Sequence, residues 1–176
     1  MIKTLPAALA AGLALSAFLP SLPAIEPEAQ AKPAEIVFTV QLVLGTASEK
    51  ERTDESLKDD PVIKEIRSLM TYRNFSLLDE RELRAKENAP IKVILGKQQQ
   101  YELALKAALR KDGKGESIQT EVRFGYSFPD QKSAELIQST VALTPGERTV
   151  LGVSKPEGVE PLDQGLILIL TGKPVR

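Results

Sequence analysis

The chain has 176 residues, with 23 Lys and Arg against 24 Asp and Glu, a formal net charge of −1, and no cysteine, histidine or tryptophan. That balance lacks the basic excess or basic face through which proteins hold nucleic acid. Without His and Cys, the commonest general base, the soft metal ligands, the thiol nucleophile and a Ser-His-Asp triad are all ruled out, and no cofactor is expected.

The N-terminus reads as an export signal. Lys3 is the only charge in the first 24 residues, and Leu5 to Leu19 is an uninterrupted Ala- and Leu-rich run. A short basic start, a brief apolar stretch and small residues at the exit are the plan of a secretory leader. The run is short for a membrane span, which needs about 20 residues, so an uncleaved anchor is the lesser alternative. Pro20 and Pro23 end the run, and cleavage is expected after Ala24, with Ala31 as a second candidate. No cysteine follows to carry a lipid. The expected layout is a signal peptide over 1–24, a flexible Pro/Ala/Glu linker over 25–34 and a single β-rich domain over 35–176, residing in the periplasm or cell envelope with no membrane span. Cleavage after Ala24 leaves 152 residues and a net charge of −2, enough chain to bury one continuous core.

In the mature chain, Phe38, Val40, Leu42 and Leu44 alternate with Thr39 and Gln41, which predicts a strand closed by Gly45. Ser48 to Asp60 holds six acidic and three basic residues and one large apolar side chain, Leu57. It reads as a solvated loop or a frayed helix start, without the central Gly and ligand spacing of a calcium loop. Asp60-Pro61 then opens a helix: Asp caps free N–H groups and Pro suits the first helical position. Val62, Ile63, Ile66, Leu69 and Met70 form its apolar stripe, expected to pack on a sheet.

Phe75, Leu77, Leu78 and Leu83 mark a strand of open extent, and Ile91 to Leu95 the next. Gln99 to Arg110 fits both periodicities, but the Gly-rich turn at 111–115 and the alternation of Ile118, Thr120, Val122 and Phe124 beyond it favour a hairpin. Leu136 to Leu143 and Arg148 to Val153 flank Thr144-Pro145-Gly146-Glu147, whose Pro and Gly suit a type II turn. Gly165 to Thr171 is a continuous apolar strand, expected to be central and covered on both faces. The fold class is α+β, mostly β: one short amphipathic helix on an antiparallel or mixed sheet of seven or eight strands.

Candidate chemistry is sparse. The carboxylates cluster at Asp54/Glu55, Asp59/Asp60 and Asp79/Glu80/Glu82, each among Lys or Arg, as solvated surface charge usually is. Ser68, Ser133 and the adjacent Ser154 and Lys155 are the remaining nucleophile candidates, and neighbours on a strand point to opposite faces. Arg123, Tyr126 and Phe128 are the candidate partner-binding residues, an aromatic and basic patch. Phe124, Tyr126 and Phe128 also share a strand face, and a place in the core is the more ordinary role for them.

Ser139-Thr-Val-Ala-Leu-Thr-Pro-Gly-Glu-Arg-Thr-Val-Leu-Gly152, with Leu166-Ile-Leu-Ile-Leu-Thr171 after it, resembles the C-terminal β-hairpin region of bacterial secretins, the outer-membrane channels of type II and III secretion and type IV pili. The resemblance spans residues 137–171. It departs from the family in having only Ser154 to Gln164 where a gate segment should lie, and Gly152-Val153 where a Gly-Gly pair is usual. It implies a small stand-alone relative that keeps a β core without the pore. The expected function is therefore a non-enzymatic envelope domain that binds a protein partner, a second copy of itself included, as an accessory to a secretin-like assembly. An envelope hydrolase using carboxylates or Ser/Lys, and a carrier of an apolar ligand between helix and sheet, are the alternatives.

Overall fold

The computed structural model describes residues 34–48, 52–97, 100–113, 115–126, 134–154 and 164–175. The expected leader and nearly all of the expected linker fall outside them. The described residues belong to one compact unit, 32–176. In chain order they form β1 (Glu35–Thr46), α1 (Glu55–Lys58), α2 (Pro61–Leu69), β2 (Asn74–Lys86), β3 (Ile91–Leu95), β4 (Tyr101–Asp112), β5 (Gly115–Tyr126), β6 (Ala134–Leu143), β7 (Arg148–Ser154) and β8 (Gln164–Val175). The fold is mostly β with two short helices, and its eight strands form two antiparallel sheets.

Sheet 1 has the order β2-β1-β8-β7 and sheet 2 the order β3-β4-β5-β6. The second is an uninterrupted meander inserted between β2 and β7 of the first. The alternation read from the sequence builds the space between them. Ile36, Phe38, Val40 and Leu42 of β1 and Leu166, Leu168 and Leu170 of β8 meet Leu103, Leu105, Ile118, Val122 and Phe124 of sheet 2 in one buried cluster. The intervening residues of β1 and β8 point the other way, where Val43, Ile167 and Ile169 meet Leu57, Ile63, Ile66 and Phe75 in a second cluster. The layers are thus helix, sheet and sheet. Strand β8 is central and buried on both faces, as its unbroken apolar run requires.

The two-way reading of 99–110 resolves as strand: β4 pairs with β5 from Tyr101↔Tyr126 to Asp112↔Gly115. Strand β1 does not stop at Gly45. Gly45 lies opposite Gly165 across the β1–β8 ladder, and the Tyr72 ring covers both: a Cβ would come within 2.7 Å of that ring at Gly45 and within 2.0 Å of its hydroxyl at Gly165. The two glycines make room for the aromatic ring, and the strand runs on beneath it.

Helix α2 starts as its sequence dictates. The Asp60 side chain accepts from the N–H groups of Val62 (2.9 Å) and Ile63 (3.4 Å), with Pro61 in the first turn. Its stripe is only half used. Ile63 and Ile66 are buried, whereas Leu69 and Met70, at the end of the helix, are 77% and 37% exposed. The acidic segment before it is more ordered than its composition suggests. Leu57 anchors the single turn α1 in the helix-side core, and the Asp54 carboxylate accepts from the Leu77 N–H of β2 at 2.8 Å.

The largest departure concerns residues 139–152. Strand, turn and strand are present, with Gly146 at φ +83° and the Glu147 N–H donating to the Thr144 carbonyl at 3.0 Å. They are not a hairpin. β6 pairs with β5 in sheet 2, and β7 pairs with β8 in sheet 1, so the turn carries the chain across the sandwich. Two-residue hairpins favour turns of the mirror-image types, and a type II turn splays its flanking strands.

Candidate functional site

Strand addition needs an exposed ladder edge, and proteins ordinarily blunt such edges with charge, brevity or cover. Four strands are terminal here: β2 and β7 in sheet 1, β3 and β6 in sheet 2. Strand β2 is blunted, because Asp79, Glu80, Arg81, Glu82, Arg84 and Lys86 fill half its length. It is also partly occupied. Besides the Asp54–Leu77 bond, the Asp54 N–H donates to the Phe75 carbonyl at 2.9 Å, and the Phe75 N–H donates to Thr53 Oγ1 at 3.3 Å. Strand β3 is short, and where it ends the turn at 87–88 takes over the edge of β4. The Asn88 N–H donates to the Ala107 carbonyl, and Glu87 Oε1 accepts from the Leu109 N–H. Asn88 reaches this position at φ 62°, in the left-handed region Asn tolerates.

The opposite side of the sandwich is different. β6 carries one charged residue, Glu135, in ten, and β7 one, Arg148, in seven. Among the described residues no strand pairs with the outer edge of either. The turn at Thr144–Glu147 joins them, so the two bare edges lie side by side. It is fixed there by the Gly146 N–H, which donates to the Gly172 carbonyl of β8 at 2.8 Å.

Arg148 ties this edge to the helix layer. Its Nη1 donates to both Asp60 carboxylate oxygens, at 2.8 and 2.7 Å, and its Nη2 donates to Gln41 Oε1 of β1. The Asp60 side chain is 12% exposed and that of Arg148 27%. Burial alone would raise the Asp60 pKa. The hydrogen bonds and charge of Arg148, with the Val62 and Ile63 N–H groups, outweigh it and hold the carboxyl below its ordinary value. The same aspartate therefore caps α2 and clamps the first residue of β7. At the other end of the helix, Met70 lies over Gly152: a Cβ there would be 3.3 Å from Met70 Cε.

Two of the shallow depressions on the sandwich gather charged side chains. One, of about 410 Å³ on the helix side of sheet 1, is lined by Thr39, Gln41, Asp60, Glu82, Arg148 and Lys173 among others. It brings together two of the carboxylates singled out from the sequence, Asp60 and Glu82. Asp54 and Asp79 have their own engagements, on the Leu77 N–H and on the Gly96 N–H (2.9 Å) with Arg81. The other, of about 380 Å³ on the outer face of sheet 2, is floored by Ala104 and Gly125 and rimmed by Lys92, Glu102, Lys106 and Arg123. Its charges are largely paired, Lys92 with Glu102 at 3.0 Å and Lys106 with Glu121 at 3.7 Å.

The candidate patch of Arg123, Tyr126 and Phe128 is not assembled. Arg123 is exposed on the outer face of sheet 2, whereas Tyr126 is 7% exposed on the inner face. There its ring lies 5.2 Å from that of Tyr101, which also stacks on Phe124 at 5.6 Å. Burial, with Tyr126 beside it, pushes the Tyr101 phenol up to about 12, and burial raises Tyr126 as well. Val122, Phe124 and Tyr126 alternate onto the inner face along the unbroken β4–β5 ladder, and Arg123 between them faces out. Phe128 lies outside the described residues, as do Ser133 and Lys155. Ser68 is exposed on α2 and donates to the Glu65 carbonyl. The edge residues themselves escaped sequence reasoning, because a strand becomes an edge through topology alone; the low charge of β6 and β7 beside β2 was the one available signal.

Comparison with known proteins finds no matching family model, no matching curated protein and no matching solved structure.

Proposed function

We propose that this chain is an exported, non-enzymatic domain of the cell envelope that binds a protein partner by strand addition along the β6–β7 side of its sandwich. The observation that carries the reading is the contrast between edges: β2 is charged and partly covered, whereas β6 and β7 are almost free of charge and unpaired among the described residues. A bare edge offers main-chain donors and acceptors for affinity and alternate side chains for specificity. The leader-like residues 1–24 supply the export part of the proposal. The resemblance of residues 137–171 to secretins, a span that contains most of both bare strands, suggests an envelope assembly as the setting.

Fractionation of cells expressing the tagged chain, followed by cross-linking of the envelope fraction, tests both halves. Expected is an envelope location and one discrete adduct, lost when Lys is placed on the edges by Thr140→Lys in β6 and Gly152→Lys in β7. A cytoplasmic protein would refute export. An adduct indifferent to both substitutions would refute the edge.

A further inference from the structure

The same edge points to its own occupant. Resting on the strand-addition reading, we infer that the partner of β7 is β7 of a second copy, paired antiparallel about Leu151, so that sheet 1 continues through a two-fold axis into an eight-stranded sheet.

Three observations favour an identical copy over an unrelated extended segment. First, the strand is self-complementary. With Leu151 on the axis, Val150 stands opposite Gly152, Thr149 opposite Val153 and Arg148 opposite Ser154. No like charges meet, and the one charge is already neutralised by Asp60 within its own chain. Second, both bare edges lie on one side of the sandwich. A single added strand would cover one of them, whereas a second copy brings a bare β6 and a bare β7 together and can shield both. Third, Met70, an apolar side chain that the end of α2 leaves 37% exposed, is at this edge, directly over Gly152. A two-fold axis normal to the sheet keeps both helix layers on the same side. Val150 of the second copy, which faces its own helix layer, then arrives beside Gly152 on the face that Met70 covers. Glycine at 152 leaves room for that neighbour.

The chain's lack of cysteine makes the register directly testable in the full chain. Residues directly opposite in an antiparallel pair have Cα atoms about 4.5–5.5 Å apart, inside the range of about 4.4–6.8 Å that a disulfide spans. Leu151→Cys is therefore expected to oxidise to a covalent dimer. Thr149→Cys, whose Cα atoms would lie about 14 Å apart across the axis, is expected to stay uncross-linked. In sedimentation equilibrium the unsubstituted chain should show a concentration-dependent doubling of mass, and Gly152→Lys should abolish it. This last pair of measurements does not depend on the cysteine variants folding.

A chain that stays monomeric, or dimers in which Leu151→Cys cross-links no better than Thr149→Cys, would overturn the second-copy proposal. The two readings fail separately. If the chain is monomeric and an envelope adduct is still lost in Gly152→Lys, the edge binds a different protein and strand addition stands. If the chain is monomeric and no adduct depends on either edge, both readings fall.

Discussion

Asp60 offers the sharpest test of how the edge is built, because one carboxylate performs two separable tasks. It accepts from the Val62 and Ile63 N–H groups, and it takes both hydrogen bonds from Arg148 Nη1. Removing a cap typically costs about 1 kcal/mol. An ion pair with side chains 12% and 27% exposed lies between an exposed pair, worth up to about 1 kcal/mol, and a buried one, whose disruption costs about 3–5 kcal/mol; a coupling of roughly 1–2 kcal/mol follows. Asp60→Ala should therefore destabilise the domain by about 2–3 kcal/mol. Asp60→Asn, which can keep an oxygen for the cap, should cost about 1 kcal/mol less. Arg148→Met should cost roughly 1–2 kcal/mol in the natural background and close to nothing when combined with Asp60→Ala. Urea titration reads these values: at about 2 kcal/mol per molar urea, the Asp60→Ala midpoint falls by about 1 M with an unchanged slope. The pH dependence has a fixed sign. Asp60 has a lowered pKa in the folded state, so its contribution is complete above the ordinary carboxylate range near 4 and fades as the pH falls through the lower folded value. Additive Asp60→Ala and Arg148→Met effects, with Asp60→Asn as damaging as alanine, would refute the two-task account and leave Asp60 a cap only.

Other expectations follow from buried groups. The Thr46 hydroxyl is buried with no hydrogen-bond partner among the described residues, so Thr46→Val should raise stability by about 1 kcal/mol in the same titration. Gly125→Ala would place a Cβ within 2.3 Å of the Ala134 carbonyl oxygen of β6. That neighbour is backbone and cannot swing aside, so a loss of more than about 2 kcal/mol is expected, with amide exchange accelerated first in β6. Tyr101, pushed up to about 12 by burial and Tyr126, stabilises the fold fully below the ordinary tyrosine value near 10 and loses that contribution as the pH rises from there towards 12. An alkaline absorbance titration should show its phenolate forming above about pH 11, and Tyr101→Phe should flatten the stability loss over that interval.

Much of the architecture was legible because its signals are local. Alternation in β1 and in the β4–β5 pair, the unbroken run of β8 and the Asp60-Pro61 helix start all encode burial by periodicity, and the structure shows the burial in the same residues. What periodicity cannot show is where an element runs out of neighbours. Leu69 and Met70 continue the apolar stripe of α2, yet both are exposed at the end of the helix, where Met70 lies over Gly152 of β7, the last strand of its sheet among the described residues. Gly45 reads as a terminator, yet Tyr72 covers it together with Gly165, a partner 120 residues away in sequence. Arg123 and Tyr126 read as neighbours on one patch, yet they stand three residues apart on a strand whose ladder with β4 is unbroken, and plain alternation puts them on opposite faces.

The turn at Thr144–Glu147 determines the candidate site, and its chemistry was in view. Pro145-Gly146 specifies a type II turn, with φ positive at Gly146. A two-residue hairpin between right-twisted strands is better served by the mirror-image turns, such as Asn-Gly supplies. The hydrophobic pattern on either side says strand, and the turn type says that the two strands diverge; together they specify a crossing between sheets. Had residues 145–146 been Asn-Gly, β6 and β7 could have satisfied one another and removed a bare edge from each sheet. With Pro-Gly they are sent to separate sheets, and two nearly uncharged strands are left at one side of the sandwich with outer edges that no described strand pairs.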